Sequence, residues 1–202
     1  KYCSKLGYNA HFIPDAIDFD ELPKNVDRKY EKQIIYVGRL SKEKGILQLL
    51  EVCKKLPLDI HLLILGTGPE EKKVIQLSNT SKNIHYLGYQ PKEKTIPLIR
   101  GSDILIQPSL MEGGINTTAL EAMACNTSIL VTSLEDQKDV LRHMDTAFCV
   151  NPKSISELLK GIFELMNDSI LRSNLSKNAY LEVQKYSWNV IGKQYLEIYR
   201  NS

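Results

Sequence analysis

The sequence is poor in several things, and each scarcity closes off a class of function. Four cysteines, Cys3, Cys53, Cys125 and Cys149, are spread through 202 residues with no CxxC pair. That excludes a disulfide framework and a cysteine zinc site, and it suits a reducing compartment. The histidines, His11, His61, His85 and His143, have no metal-ligand spacing; His61 and His85 fall in strand-like runs and read as packing residues. The formal net charge is only +2, too mild for nucleic-acid binding. No apolar run reaches the roughly 18 residues of a membrane-spanning helix. There is no Walker A loop, no G-x-G-x-x-G, no nucleophile elbow and no internal repeat. The chain opens KYCSKLGYNA, with neither an initiator Met nor a signal peptide. A piece of a longer protein is therefore expected.

What remains is ordinary globular composition, 43% hydrophobic and 25% charged. The length allows one large domain with a substantial core. N-x-S/T sequons occur at Asn79, Asn116, Asn126, Asn167 and Asn174. A glycan on Asn116 would obstruct the turn described below, so a cytoplasmic location is the simpler expectation.

Lys1–Tyr8 reads as the tail of a helix, Ala10–Ile13 as a short apolar run and Asp18–Arg28 as a polar linker. From Lys32 the chain becomes rhythmic. Buried-type strands are predicted at Gln33–Val37, Ile60–Leu65, Ile84–Leu87, Ile104–Gln107, Ser128–Thr132 and Ala147–Val150. Helices are predicted between them at Ile46–Leu56, Glu70–Ser78, Lys92–Arg100 and Ala119–Cys125, with a helical turn at Gln137–Leu141. Continuous apolar strands alternating with helices predict an α/β fold, a Rossmann-like parallel sheet with helices on both faces. A helical extension follows. Ser154 to Glu157 reads as a capping box, Asp168 as a cap, and Trp188, Ile191, Tyr195 and Ile198 as a packing stripe on a final helix.

Ligands of such sheets bind beyond the carboxyl ends of the strands. Four candidate loops lie there: Gly38-Arg39, Gly66-Thr67-Gly68, Gly88-Tyr89 and Met111-Glu112-Gly113. The last opens the most informative stretch, Pro108–Thr127. A strand is followed by Glu112, the pair Gly113-Gly114, then Ile115, Asn116 and Thr117 at a helix start, then Glu121 inside the helix. A helix N-terminus can hold phosphate, and glycine lets backbone approach it. Glu121 can accept two hydrogen bonds from a ribose diol, and Glu112 can reach a group beyond the phosphates. A nucleotide-sugar fits. The alternative, a surface Glu112 and a solvated Glu121, stays open on this stretch alone. Arg39 and Lys44 could bind a diphosphate and hold the charge that grows as it leaves. Taken locally, Lys42-Glu43-Lys44 reads better as a solvated turn, and Gly66-Thr67-Gly68 is a weak signal.

Four stretches change that balance. Ile13-Pro14-Asp15-Ala16-Ile17-Asp18, Val37-Gly38-Arg39-Leu40 with Glu43-Lys44-Gly45, Pro108–Gly113 with Leu120–Cys125, and Tyr186-Ser187-Trp188 occur in order along nearly the whole chain. Together they resemble the C-terminal, donor-binding half of a GT-B glycosyltransferase of family 4, the retaining type. The resemblance implies an interdomain segment over residues 1–30, a nucleotide-sugar-binding domain over 31–186 and a crossing helix over 187–202. It implies transfer from a UDP- or GDP-linked sugar, without a metal, to an acceptor sugar or lipid. Arg39 and Lys44 would hold the diphosphate, Glu121 the ribose, Glu112 the donor sugar, the backbone around Gly114–Thr117 the phosphates, and Gly88-Tyr89 the base. The partner would be an N-terminal domain of the same chain, with peripheral membrane contact at the cytoplasmic face through that half. A non-catalytic nucleotide-sugar-binding module is the alternative. An epimerase of the other GT-B type would need a carboxylate and histidine constellation that is not found.

The chain departs from the family pattern in three places. Eight residues, Gly113–Leu120, separate the glutamates where seven are usual. Asp15-Ala16 stands where Asn-Gly is usual, and Ser133–Asp139 replaces a glycine-rich loop. The extra residue puts the role of Glu112 in question more than that of Glu121.

Overall fold

A computed structural model describes Gly7 and residues 13–200. Six strands, β1 (Gln33–Val37), β2 (His61–Leu65), β3 (Ile84–Gly88), β4 (Ile104–Gln107), β5 (Ser128–Thr132) and β6 (Phe148–Val150), form one sheet. Its order is β3-β2-β1-β4-β5-β6 and every neighbouring pair is parallel. The helices are α1 (Ile46–Cys53), α2 (Glu71–Thr80), α3 (Lys92–Arg100), α4 (Thr117–Ala124), α5 (Ile155–Asn167), α6 (Ser169–Val183) and α7 (Trp188–Arg200).

Alternate strand residues point to opposite faces. Ile34, Tyr36, Leu62, Ile64, Ile104 and Ile106 pack with α1, α2 and α5 on one side. Ile35, Leu63, Leu65, Leu105, Ile129 and Val131 pack with α3, α4 and α6 on the other. Both faces are covered, which is why the strands read as unbroken apolar runs. The expected α/β fold is thus the observed one.

The chain winds outward from β1 to β3, then returns to place β4 on the other side of β1. Connections leaving β1 and β4 therefore diverge to opposite faces, and a crevice opens between their carboxyl ends.

Several boundaries differ from expectation, each for a local reason. Helix α1 stops at Cys53 instead of Leu56; Leu56 precedes Pro57, whose ring disfavours helical backbone before it. Helix α4 begins at Thr117, two residues before the predicted start, because Asn116 caps it by accepting from Ala119 N at 2.9 Å. Strand β2 starts at His61 and β6 at Phe148. The capping box is half made: Ser154 Oγ accepts from Glu157 N at 3.3 Å, but the Glu157 carboxylate accepts from Asn151 N and Nδ2 at 2.8 and 3.0 Å. Asp168 caps α6 as expected, accepting from Leu171 N at 2.8 Å.

The polar linker is strapped down. Ile17 N donates to Tyr186 O at 2.8 Å, Trp188 N donates to Ile17 O at 3.1 Å, and Arg28 reaches Asp103 at 2.8 Å. The stripe of the final helix is covered in part: Ile191 is buried, while Trp188 is 53% and Tyr195 39% exposed. The predicted features over Lys1–Tyr8 and Ala10–Ile13 fall almost wholly outside those residues.

Candidate functional site

The loops after β1 and β4 meet at the crevice. Gly45, with φ 70°, closes the first loop; a Cβ there would lie 1.8 Å from Pro108 O, so only glycine allows this approach. Leu110 N donates to Glu43 O at 2.7 Å and ties the loops together. That contact brings Lys44 to Glu112, Nζ to Oε2 at 2.6 Å.

Glu112 is not the surface residue that the local alternative allowed. Its side chain is 6% exposed. Ser109 Oγ donates to Oε1 at 2.7 Å, and Asn116 Nδ2 lies 3.4 Å from the same oxygen. Asn116 also exchanges two amide hydrogen bonds with Gln107, at 2.8 and 3.0 Å. The cap of α4 is thus locked to the end of β4 and to Glu112, and the Asn116 side chain is committed within the protein. Between the two glutamates the turn is made by Gly113-Gly114. Gly113 is exposed, and Gly114 has φ 135°, a conformation that L side chains rarely adopt.

Glu121 contrasts with Glu112. It sits half-buried on α4, and among the described residues its carboxylate has no hydrogen-bond partner. Burial pushes its pKa up, against a smaller lowering by Lys92 at the start of α3. A partly desolvated acceptor without a donor is a place for a ligand hydroxyl.

A recess of about 430 Å³ opens at the carboxyl ends of β1 and β2, lined by Gly38, Arg39, Thr67, Tyr89, Gln90 and Thr95 among others. Arg39 is exposed at its rim, and Tyr89 is 74% exposed. Gly66 and Gly68 border the recess, but their glycines serve loop packing. Cβ atoms there would meet Gly38 O at 2.0 Å and Leu40 O at 2.5 Å. Gly88 has φ 67° and turns the chain out of β3 toward Tyr89.

The sequence reading missed four residues that hold these loops. Tyr36 Oη donates to Arg39 O at 2.8 Å and Tyr86 Oη to Gly66 O at 3.1 Å. Gln90 Nε2 donates to Leu87 O at 2.6 Å, and Gln137 Nε2 to Gly114 O at 3.0 Å. Burial raises the phenol of Tyr36, and burial with the nearby Glu71 pushes Tyr86 up to about 12, so both stay hydroxyl donors. The available signal was an aromatic with a polar tip near the end of a buried strand, where the hydroxyl must find a partner. His61 and His85 pack as expected and add a contact, Nδ1 to Nε2 at 3.0 Å, under the ring of Tyr30. Among the described residues no cluster of three or more His, Cys, Asp or Glu side chains could hold a metal ion.

Arg39, Lys44, Glu112 and Glu121 thus come from three elements to one end of the sheet. The profile of the glycosyl transferases group 1 family matches residues 18–182. An uncharacterized glycosyltransferase of Methanocaldococcus jannaschii is 31% identical over 178 residues, covering 84% of this chain and 45% of that protein. The Anabaena protein HepE, solved in complex with UDP-glucose, superposes with a TM-score of 0.80 at 18% identity, covering 94% of this chain and 57% of that one. The C-terminal domain of a group 1 glycosyl transferase from Francisella tularensis superposes with a TM-score of 0.70 at 24% identity, covering 85% of this chain and 98% of that one. The chain spans about half the length of the curated relatives it matches. With its sheet order and the family profile in agreement, this chain belongs to the glycosyl transferases group 1 family.

Proposed function

We propose that the chain is the nucleotide-sugar-binding, C-terminal half of a retaining glycosyltransferase. One observation carries the reading: Glu121, half-buried and without a donor among the described residues, sits on the helix that follows β4, while a glycine-bordered recess with a cationic rim opens at the carboxyl ends of the neighbouring β1 and β2. In this reading the base lies in the recess against Tyr89, and the ribose hydroxyls donate to Glu121. The diphosphate lies over the crevice between Arg39, Lys44 and the first turn of α4, whose leading N–H groups have no intrahelical partner. The bond from the anomeric carbon to the diphosphate breaks, a bond to the acceptor oxygen forms on the same face of the sugar, and the acceptor's hydroxyl proton passes to the departing diphosphate. Two cations and a helix N-terminus stabilise the departing diphosphate in place of a metal. UDP is the favoured nucleotide, supported by the UDP-glucose complex of the structural relative.

Glu112 enters this picture already paired with Lys44. Arrival of the diphosphate would draw Lys44 away and free one carboxylate oxygen for a sugar hydroxyl. The acceptor site and any further catalytic group belong to an N-terminal domain, and we place the assembled enzyme in the cytoplasm, acting on a sugar or lipid acceptor. The division at residues 30 and 186 is part of the proposal. Calorimetric titration of the longer protein with UDP, GDP and ADP tests it, alone and with Arg39→Ala and Glu121→Gln. Selective binding of one nucleotide, weakened by both substitutions, is expected; wild-type protein that binds none of the three refutes the reading. Nucleotide binding without hydrolysis or transfer would favour a binding module on the same fold.

A further inference from the structure

We infer that Gln137 is a positioning residue that sets the Gly114 peptide so that the longer glutamate turn can meet a diphosphate. The inference rests on the donor-site reading above. It joins two of the departures from the family pattern, because Gln137 lies in Ser133–Asp139 and Gly114 in the eight-residue spacer. A hydrogen bond joins the two loops, Gln137 Nε2 to Gly114 O at 3.0 Å.

The strut is firmly footed. Gln137 is 2% exposed. Its backbone N–H donates to Leu134 O at 3.1 Å, and its own carbonyl accepts from Val140 and Leu141 at 3.0 and 2.8 Å. Val140 and Leu141 are themselves buried in the core. Gln137 therefore cannot follow Gly114; Gly114 must come to it.

Gly114 needs such a guide. With φ 135° and no side chain, its own preferences leave the peptide nearly free to rotate. In a trans peptide the C=O and the following N–H point in opposite senses. Drawing the Gly114 carbonyl inward to a buried amide turns the Ile115 N–H outward, beside the first turn of α4. Without the strut the peptide can flip and present a carbonyl, which repels phosphate. Gln137 Oε1 is also buried and has no partner among the described residues. A side chain kept only to fill space would not leave that oxygen unpaired, a cost that an apolar residue of the same size avoids.

The test uses Gln137→Met in the longer protein, which keeps the buried volume and removes the donor. The carbonyl ¹³C chemical shift of Gly114, which reports the hydrogen bond it accepts, and calorimetry with UDP and with uridine are the readouts. The expected result is an upfield move of the Gly114 carbonyl and about tenfold weaker UDP binding (~1.4 kcal/mol), with uridine affinity unchanged. Equal weakening of UDP and uridine, or an unmoved carbonyl shift, overturns the inference. Gln137→Glu is the second variant. Its neutral carboxyl can donate to Gly114 O and its ionised form cannot, so the Gly114 carbonyl must move upfield as pH rises; a flat profile overturns the strut. If the wild type binds no nucleotide, the donor-site reading fails, and the carbonyl shift decides the strut by itself: a move in Gln137→Met supports it and an unmoved shift refutes it.

Discussion

Replacing Glu121 with Gln should move binding and stability in opposite directions. A ribose held by this carboxylate donates two hydrogen bonds to a charged acceptor, each worth about 1.5–3 kcal/mol. Gln keeps the shape but offers one neutral oxygen, and its NH₂ faces a hydroxyl that must turn round to accept. The loss is about 2–3 kcal/mol in sum, or roughly 30- to 150-fold in Kd. The free protein should respond the other way. Burial raises the Glu121 pKa above its ordinary 4.5, so the fold favours the neutral carboxyl. Stability is then lost as pH rises from the unfolded pKa through the folded one. At neutral pH the wild type carries that cost, and Gln removes it.

The assay is calorimetry with UDP and 2′-deoxy-UDP, paired with thermal melting of the free protein. Glu121→Gln should weaken UDP far more than 2′-deoxy-UDP while its melting temperature holds or rises. UDP affinity of the wild type should also fall as pH drops through the raised carboxyl pKa. Equal losses for both nucleotides, or a lower melting temperature with unchanged affinity, would refute a ribose role for Glu121.

Other perturbations probe the frame around it. Lys44→Met strips the partner from a 6% exposed Glu112; because Lys44 is itself 30% exposed, we expect about 1–2 kcal/mol of destabilisation by urea unfolding, well below a fully buried pair. Gly45→Ala forces a Cβ to 1.8 Å from Pro108 O and should cost at least about 3 kcal/mol, unless the two loops separate and nucleotide affinity collapses instead. Tyr36→Phe removes the donor to Arg39 O, for about 1–2 kcal/mol in unfolding and a weaker hold on diphosphate. The paired imidazoles give a pH test. Burial, then His61, lowers the His85 pKa from 6.5, so the fold favours neutral His85; that stability is complete above pH 6.5 and is lost as pH falls through the folded value. Two protonated rings cannot share the contact at 3.0 Å. His85→Phe should flatten the acid limb of stability below pH 6.5, and an unchanged limb would place the proton uptake elsewhere.

The sheet could be read from the chain because both of its faces are covered, so each strand announces itself without needing its partners. The glutamate turn could be read because its residues are contiguous. The residues that hold the loops could not, since the carbonyl each one serves is identified only by the fold. Gln137 lies 23 positions from Gly114, and Tyr86 lies 20 from Gly66. No window of sequence contains both ends, and a tyrosine in a strand looks like packing until its hydroxyl is placed. The last helix shows a related limit: periodicity reports that a face is apolar, not what covers it. The four hidden donors share one geometry: each meets a main-chain carbonyl at the carboxyl end of the sheet. What a held carbonyl achieves depends on where the N–H of the same peptide goes. Tyr36 holds the Arg39 carbonyl, and the N–H of that peptide, on Leu40, donates to Thr67 O at 2.9 Å, so the hold ties the loop after β1 to the loop after β2. Gln137 holds the Gly114 carbonyl, where glycine by itself would leave the peptide free to turn.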